Sequence, residues 1–315
     1  MAPTILIVGA TGNTGRGVVE TLSKLLTTSK TLSGHRLLAQ TRSSSSPAAQ
    51  ALAQLPGVSL VEKNWATITP EWLRENEVVR AFIASHTEPT QFTEESAFHN
   101  AALRAGVEYV VRIGTTAPNT RPDCEAYYAR NHWAIETMLA SPAFAGYHWT
   151  SLQPNAFTGL WLSGAAEFVK QYRKTGKQEG PLKMIAAADA PVAVVNPDEI
   201  GALAAHLLSL EDPAVHSGKK LVVNGPEDIT GEQIVKLVEQ HIGVPVENVS
   251  FKDTGIVDYM ASVSPFPKEI ILSIRHALKT GWAGEWVAST VSKEVLEIAP
   301  PKQTPAEGLK ALLGE

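Results

Sequence analysis

Cysteine is nearly missing from this chain. Cys124 stands alone, which excludes an intrachain disulfide and any thiolate metal cluster. No Cys/His/Asp signature surrounds it, so no metal site is expected. Long apolar runs are missing too, and none approaches the roughly 20 residues of a membrane-spanning helix. The first apolar stretch is too short for a secretory signal and has no basic lead-in. A reducing, cytoplasmic setting without membrane attachment is therefore expected. Neither sign of charge prevails: 27 Lys and Arg against 32 Asp and Glu leave a net charge of −5 and a pI near 6.0. That balance gives no general attraction to nucleic acid or to an anionic membrane. No internal repeat occurs, and the run Ser43–Ser46 is too short for a disordered linker.

What remains is an ordinary globular composition, 44% apolar and 19% charged over 315 residues. This suffices for one large α/β domain, or for that domain and a smaller one. The most telling stretch is at the start, where Thr4-Ile5-Leu6-Ile7-Val8 feeds into Gly9-Ala10-Thr11-Gly12-Asn13-Thr14-Gly15. A continuous β-branched and Leu run reads as a buried parallel strand. A glycine loop after it, then a helix from near Asn13 bearing Val18, Val19, Leu22, Leu25 and Leu26, is the arrangement that holds a dinucleotide. Gly9 permits the tight turn, Gly12 lets backbone approach a pyrophosphate, and Gly15 lets helix and strand pack closely. The helix N-terminus offers unpaired N–H groups to phosphate oxygens.

Strand and helix signals then alternate as in a doubly wound parallel sheet. Strands are expected at 35–41, 58–62, 78–84, 107–113 and 147–152. Helices are expected at 48–55 behind Pro47, from Pro70, at 94–105 with Gly106 as C-cap, and at 124–139. Past Asn155 the alternation breaks. One helix is expected over 157–172, strand segments near 192–196 and 220–223, helices from Pro197 and from Thr230, and a helical last sixty residues. The division this implies is a Rossmann-type nucleotide domain over 1–155, receiving the two later strand segments, and a mainly helical substrate lobe over 156–315.

Candidate site residues follow from these positions. Arg42, with Ser43 behind it, sits past the second strand, where a carboxylate would bind a ribose 2′-OH and an arginine accommodates a 2′-phosphate. This favours NADP(H) over NAD(H), against the alternative of a solvated surface arginine. Tyr128 and His132 lie one helical turn apart on one face, the spacing at which short-chain reductases carry a Tyr and a Lys. A phenol there can protonate an alkoxide, and His132 can bond a ribose hydroxyl or pass a proton near neutral pH. A hydrogen-bonded histidine on an amphipathic helix is the other reading. The loop before that helix offers Glu125 or Asp123 as acid or base and Arg121 as an anion anchor, or it is merely a charged surface loop. Thr115 and Thr116 end the fifth strand on the nicotinamide side. Trp161 is a candidate for the apolar wall of a substrate pocket.

Together these residues resemble the NmrA-like family of atypical short-chain dehydrogenase/reductases, over nearly the whole chain. The carriers are I-L-I-V-G-A-T-G-N-T-G, V-E-Y-V-V-R-I-G-T-T, H-W-A-I-E-T-M-L, T-S-L-Q-P-N-A-F, N-P-D-E-I-G-A-L-A and L-V-V-N-G-P-E-D-I-T-G-E-Q-I. The resemblance implies an NADP(H) site at Gly9, Thr11, Gly12, Asn13, Thr14, Arg42, the Ser85-His86 loop, Thr115 and Asn155. The chain departs from the family at His132, where a Lys is usual four residues before the helix Glu, here Glu136, and at Gln153, where an Arg is usual. Two functions are expected on this basis. One is an enzyme acting on a small apolar or polycyclic metabolite, of the kind secondary metabolism makes, by reduction or by a cofactor-dependent rearrangement or isomerisation. The other is an NADP(H)-sensing regulator that binds a protein partner.

Overall fold

Only strands covered on both faces can be apolar along their whole length, and the apolar runs become such strands. In the computed structural model, which describes residues 2–315, β1 (Thr4–Val8), β2 (Arg36–Thr41), β3 (Val58–Glu62), β4 (Val78–Ile83), β5 (Tyr109–Ile113) and β6 (His148–Pro154) alternate with five helices. These are α1 (Gly15–Thr28), α2 (Pro47–Ala53), α3 (Pro70–Glu75), α4 (Gln91–Ala105) and α5 (Tyr127–Leu139). Next come α6 (Thr158–Trp161), α7 (Ser163–Thr175), β7 (Leu182–Lys183), α8 (Pro197–Leu208), β8 (Lys219–Val223), α9 (Gly231–Ile242) and β9 (Val249–Ser250). The chain then runs through α10 (Gly255–Val263), α11 (Lys268–Leu272), α12 (Leu278–Trp282), α13 (Lys293–Ile298) and α14 (Pro305–Leu313).

Seven strands form one parallel sheet in the order β3-β2-β1-β4-β5-β6-β8, and β7 pairs with β9 in a separate parallel ribbon. The strand order reverses between β1 and β4, and the crevice at such a switch point is where open α/β sheets bind ligands. This is the Rossmann-type α/β fold expected from the sequence. One sheet face packs Ile5, Ile7 and Phe82 against α1 and α8, through Val18, Leu22, Ile200 and Leu203. The other face packs Leu6, Val8 and Val110 against Phe98 of α4 and Ile135 of α5. A third apolar cluster, around Trp161, Phe168, Ile185, Ile234 and Trp286, fills the later part of the chain.

Local signals set several boundaries. Ser46 caps α2 by accepting from the Ala49 amide ahead of Pro47, and Gly106 closes α4 in the left-handed region at φ 80°. Asn196, Pro197, Asp198 and Glu199 open α8 as cap, first helical residue and first-turn acids. The other end of α8 meets buried Arg80, whose Nη1 donates to the carbonyls of Leu208 and Leu210 at 2.6 and 2.8 Å. A cation there suits the negative end of the helix.

Strand ends shift by one or two residues and α4 starts three residues early at Gln91; four further departures from expectation shape the site. Helix α1 starts at Gly15, because Asn13 and Thr14 belong to the turn. Helix α5 starts at Tyr127, so Cys124, Glu125 and Ala126 are loop. The expected helix over 157–172 is two helices, with Leu162 at the junction at ψ 1°. Residues 192–196 are not a strand of the sheet and make isolated bridges only, Val192 with Ile229 and Val195 with Phe157. That segment is drawn off the sheet by its other partners, since Ala193 donates to the Trp286 carbonyl and Val195 to the Ala156 carbonyl.

Candidate functional site

The carboxyl ends of β1, β2, β4, β5 and β6 open into a cavity of about 720 Å³, bordered on its far side by residues of the later part of the chain, among them Ile185, Leu278 and Trp286. At one end lies the glycine loop. The Gly9 amide donates to Gln40 Oε1 at 3.0 Å, Ala10 to the Gln40 carbonyl and Gly12 to the Gly9 carbonyl. The amides of Thr11, Asn13 and Thr14 give no hydrogen bond to the protein among the described residues, and all three residues border the cavity. Helix α1 has no acidic residue in its first turn to offset the positive end of its dipole. A Cβ at Gly12 would meet only the Gly9 carbonyl oxygen, at 3.2 Å, so the hydrogen of glycine faces open space where an anionic oxygen fits. A loop of this geometry could hold a phosphate.

Arg42 borders the same cavity from the end of β2 and is exposed, with no ion-pair partner among the described residues. The carboxylate that ends the neighbouring strand β3 is engaged elsewhere. Glu62, ending β3, accepts from both the amide and the hydroxyl of Ser44 at 2.8 Å, and the Ser44 amide, then its hydroxyl, hold it below the usual carboxylate range. Beyond β4, His86 gives Nε2 to Glu94 at 2.6 Å, accepts the Glu88 amide on Nδ1, and lies 5.6 Å from the Trp65 ring.

At the other end, the first turn and a half of α5 brings Tyr128 and His132 to the cavity beside Thr115, two residues past the end of β5. Burial pushes the Tyr128 phenol up to about 12, opposed by a hydrogen bond with Thr115. It therefore keeps its proton at neutral pH. His132 is buried and accepts on Nδ1 from Arg112 Nη2 at 2.8 Å. Burial, then the Arg112 charge, pulls its pKa down to about 3. The expectation of proton exchange by His132 near neutral pH is thus corrected, because an imidazolium there would face a guanidinium across a hydrogen bond. Phe157, Leu160, Trp161, Ile185, Leu278 and Trp286 complete this end, and none of them carries a charge.

Of the expected cofactor residues, Gly9, Thr11, Gly12, Asn13, Thr14, Arg42, Ser85, His86, Thr115 and Asn155 all border this cavity. Asn155 is also a tie, since its side chain donates to the Trp286 carbonyl at 2.7 Å. Four expected residues, Ser43, Arg121, Asp123 and Glu125, lie elsewhere. Ser43 is exposed in its own turn, its amide bonded to Thr41 Oγ1 and its hydroxyl to Ser45. Arg121 is half exposed and pairs with Asp123 at 3.0 Å. Glu125, with a side chain 59% exposed, pairs with His276 at 2.5 Å and Lys279 at 3.2 Å. The late start of α5 explains this: in the non-helical Cys124-Glu125-Ala126 segment the two flanking residues are buried and Glu125 faces out.

A buried charged layer behind the cavity was not foreseen. Arg112, fully buried on β5, donates through Nε to Glu95 at 2.6 Å and through Nη1 to Ser151 at 2.9 Å, and lies 3.6 Å from Glu136. Glu95 also accepts from cavity-lining Ser85 at 2.6 Å. Burial opposes its ionisation, but Arg112 and His99 hold it well below the usual carboxylate range. Glu136 accepts from Ser151 and Gln153 and pairs with Lys220 at 3.2 Å. The signal for this layer was an arginine inside the apolar run Val110-Val111-Arg112-Ile113, since a charge in a central strand must be paired where it is buried.

Residues 1–305 match the NmrA-like family. No curated protein matches the sequence. Among solved structures, the NADPH-dependent quinone oxidoreductase of Escherichia coli complexed with NADPH superposes at TM-score 0.72 and 22% identity, over 98% of this chain and 99% of that one. The triphenylmethane reductase of Citrobacter sp. complexed with NADP(H) gives 0.70 and 19% over 98% and 100%. The leucoanthocyanidin reductase of Vitis vinifera in binary complex with NADPH gives 0.68 and 14% over 99% and 100%.

Proposed function

The chain belongs to the NmrA-like family, and from that premise we propose that it is an NADP(H)-dependent reductase of a small, neutral, largely apolar molecule with a reducible C=O or C=C bond. The observation that carries this is the continuity of one cavity from a phosphate-ready loop and an unpaired arginine, past Tyr128 and His132, to an uncharged aromatic wall. The residues present fit the cofactor. The free amides of Thr11, Asn13 and Thr14 and the bare Gly12 suit a pyrophosphate, and Arg42 with no carboxylate partner suits a 2′-phosphate. Similar folds complexed with NADPH or NADP(H) support the same reading.

Bound there, NADPH supplies a hydride. The chain's own part is to bind, orient and exclude water. Phe157, Trp161 and Trp286 give an apolar wall that desolvates a planar substrate. The protonated Tyr128 phenol donates a hydrogen bond to a substrate oxygen and can pass its proton to a more basic alkoxide. Arg121 and Glu125, outside the cavity, take no part.

The test is calorimetric titration with NADPH and NADH, followed by NADPH oxidation at 340 nm with a panel of quinones, enones and aromatic ketones. Binding of NADPH at least about ten times tighter than NADH, with acceptor-dependent oxidation lost in Tyr128→Phe, is expected. Failure of both nucleotides to bind overturns the reading. Tight NADPH binding with no acceptor consumed moves it to a cofactor-sensing regulator or, where a metabolite is converted without NADPH loss, to a rearrangement catalyst.

A further inference from the structure

We propose that Arg112 is a positioning residue that locks His132 as a neutral hydrogen-bond donor to the ligand, with its one proton on Nε2. The inference rests on the reading of the cavity as a reductase site, and it concerns the residue where the chain departs from the family's usual lysine.

The argument starts from the guanidinium, which has five N–H donors, no acceptor, and a permanent charge. Its orientation is fixed on three sides, by Glu95 on Nε, Ser151 on Nη1 and Glu136 nearby. The remaining Nη2 points at His132 Nδ1 from 2.8 Å. Because a guanidinium can only donate, Nδ1 must be the bare nitrogen of the imidazole. The Gln91 amide nitrogen also sits against the ring, 3.3 Å from Nδ1 and 3.4 Å from Nε2; with Nδ1 bare it donates there, and the proton of the neutral ring is on Nε2, on a residue that borders the cavity.

Every charged or titratable group around the ring bears on this. On β5, Arg112 opposes protonation. On α4, Glu95 favours it from behind the guanidinium, while His99 is itself held neutral by burial. On α5, Tyr128 keeps its proton, and its ring meets that of His132 edge-on at 6.4 Å. Glu136 is engaged by Ser151, Gln153 and Lys220. Burial and Arg112 outweigh Glu95. A usual lysine at this position would bring a cation to the site, whereas His132 brings a dipole whose strength is constant with pH. The consequence for specificity is a preference for neutral carbonyl acceptors over carboxylate-bearing ones.

The decisive measurement is the tautomer. In intact protein labelled with ¹⁵N-histidine, two-bond ¹H–¹⁵N correlation spectra are recorded from pH 5 to 8, and the His132 signal is assigned by its loss in His132→Asn. An unchanging Nε2–H pattern across this range is expected. An Nδ1–H pattern, or a titration midpoint inside the range, overturns the proposal. A second measurement uses 1,4-naphthoquinone as acceptor for NADPH. His132→Asn keeps an acceptor for Arg112 and an amide NH2 donor, and should lose measurably less kcat than His132→Phe. His132→Phe keeps neither and should lose about 10²-fold, the typical cost of one removed donor to a developing oxyanion. Equal losses in the two variants overturn the donor role. A locked tautomer in a protein that consumes no NADPH with any acceptor sinks the reductase reading and leaves the lock standing.

Discussion

Two glycines three positions apart do different work, and a pair of alanine substitutions separates them. A Cβ at Gly15 would fall 2.1 Å from the Gly9 carbonyl oxygen, 2.8 Å from its carbon and 3.0 Å from Ala10 Cα. All three atoms are backbone, so no rotamer change relieves the contact. Non-bonded carbon contacts rest near about 3.5 Å, and loop and helix must therefore part by about 1 Å. Overpacking costs about 1–3 kcal/mol, and a contact this short against rigid backbone belongs to the upper part of that range, about 2–3 kcal/mol, offset by about 1 kcal/mol because Ala favours a helix over Gly. The net loss of about 1–2 kcal/mol lowers the thermal midpoint by a few degrees. The displaced amides of Thr11, Asn13 and Thr14 would also miss their phosphate oxygens. At about 1.5–3 kcal/mol per hydrogen bond to a charged group, losing one bond weakens NADPH binding by about 10- to 100-fold. At Gly12 the only contact is a single oxygen at 3.2 Å, so Gly12→Ala should melt within about 1 °C of the parent. Its methyl group nonetheless occupies the approach of the phosphate, and NADPH affinity should fall as far as in Gly15→Ala. Scanning calorimetry and NADPH titration of both variants check this. A Gly15→Ala protein with parental melting, or a Gly12→Ala protein with parental NADPH affinity, refutes the reasoning.

Further outcomes are expected. Arg42→Ala should weaken NADPH binding by about 10- to 100-fold, as for a lost charge-assisted phosphate contact, and leave NADH binding unchanged, measured by titration with both. His99 and His132 have pKa values lowered by burial, so the unfolded chain takes up protons that the folded one refuses. Their stability contribution is full above the unfolded value near 6.5 and falls as pH drops below it, by up to about 1.4 kcal/mol per pH unit for each group. Urea unfolding at pH 7 and pH 5 should show the decline, and His132→Asn should make it shallower. Asn155→Ala removes one of two donors to the Trp286 carbonyl, the other being the Ala193 amide at 2.8 Å. The carbonyl stays paired, so the cost should be only about 1 kcal/mol, seen as a small shift in the urea midpoint.

The parts of this molecule legible in the sequence are those whose causes are local. The run Thr4–Val8 is apolar because its strand is covered on both faces, and the glycines behind it sit where backbone crowds backbone. Both facts reside in a dozen consecutive residues. The place of Arg42 at the cavity was legible for a similar reason, since it directly follows a strand. The readings that failed depended on contacts distant in sequence. Glu125 looked available for catalysis until His276 and Lys279 arrived from more than 150 residues away. Residues 192–196 have strand composition, yet Trp286 and Ala156 take their amides. Gln40 holds the glycine loop through a side chain that strand patterning treats as interchangeable. Arg112 was visible as an oddity in an apolar run, but its partners on α4, α5 and β6 were not.

The sheet topology also bears on how the chain matures during synthesis. Strand β6 ends at Pro154, but its outer neighbour β8 ends only at Val223, and α8, which covers α1, lies between them. At about 5–20 residues per second, the nascent chain spends about 4–14 s with β6 as a bare sheet edge and with Val18 and Leu22 of α1 lacking their cover. An open edge of that kind templates pairing with other chains. Slow translation between codons 154 and 223 would lengthen that exposure and lower soluble yield, while a fragment ending at 155 would keep both surfaces bare for good.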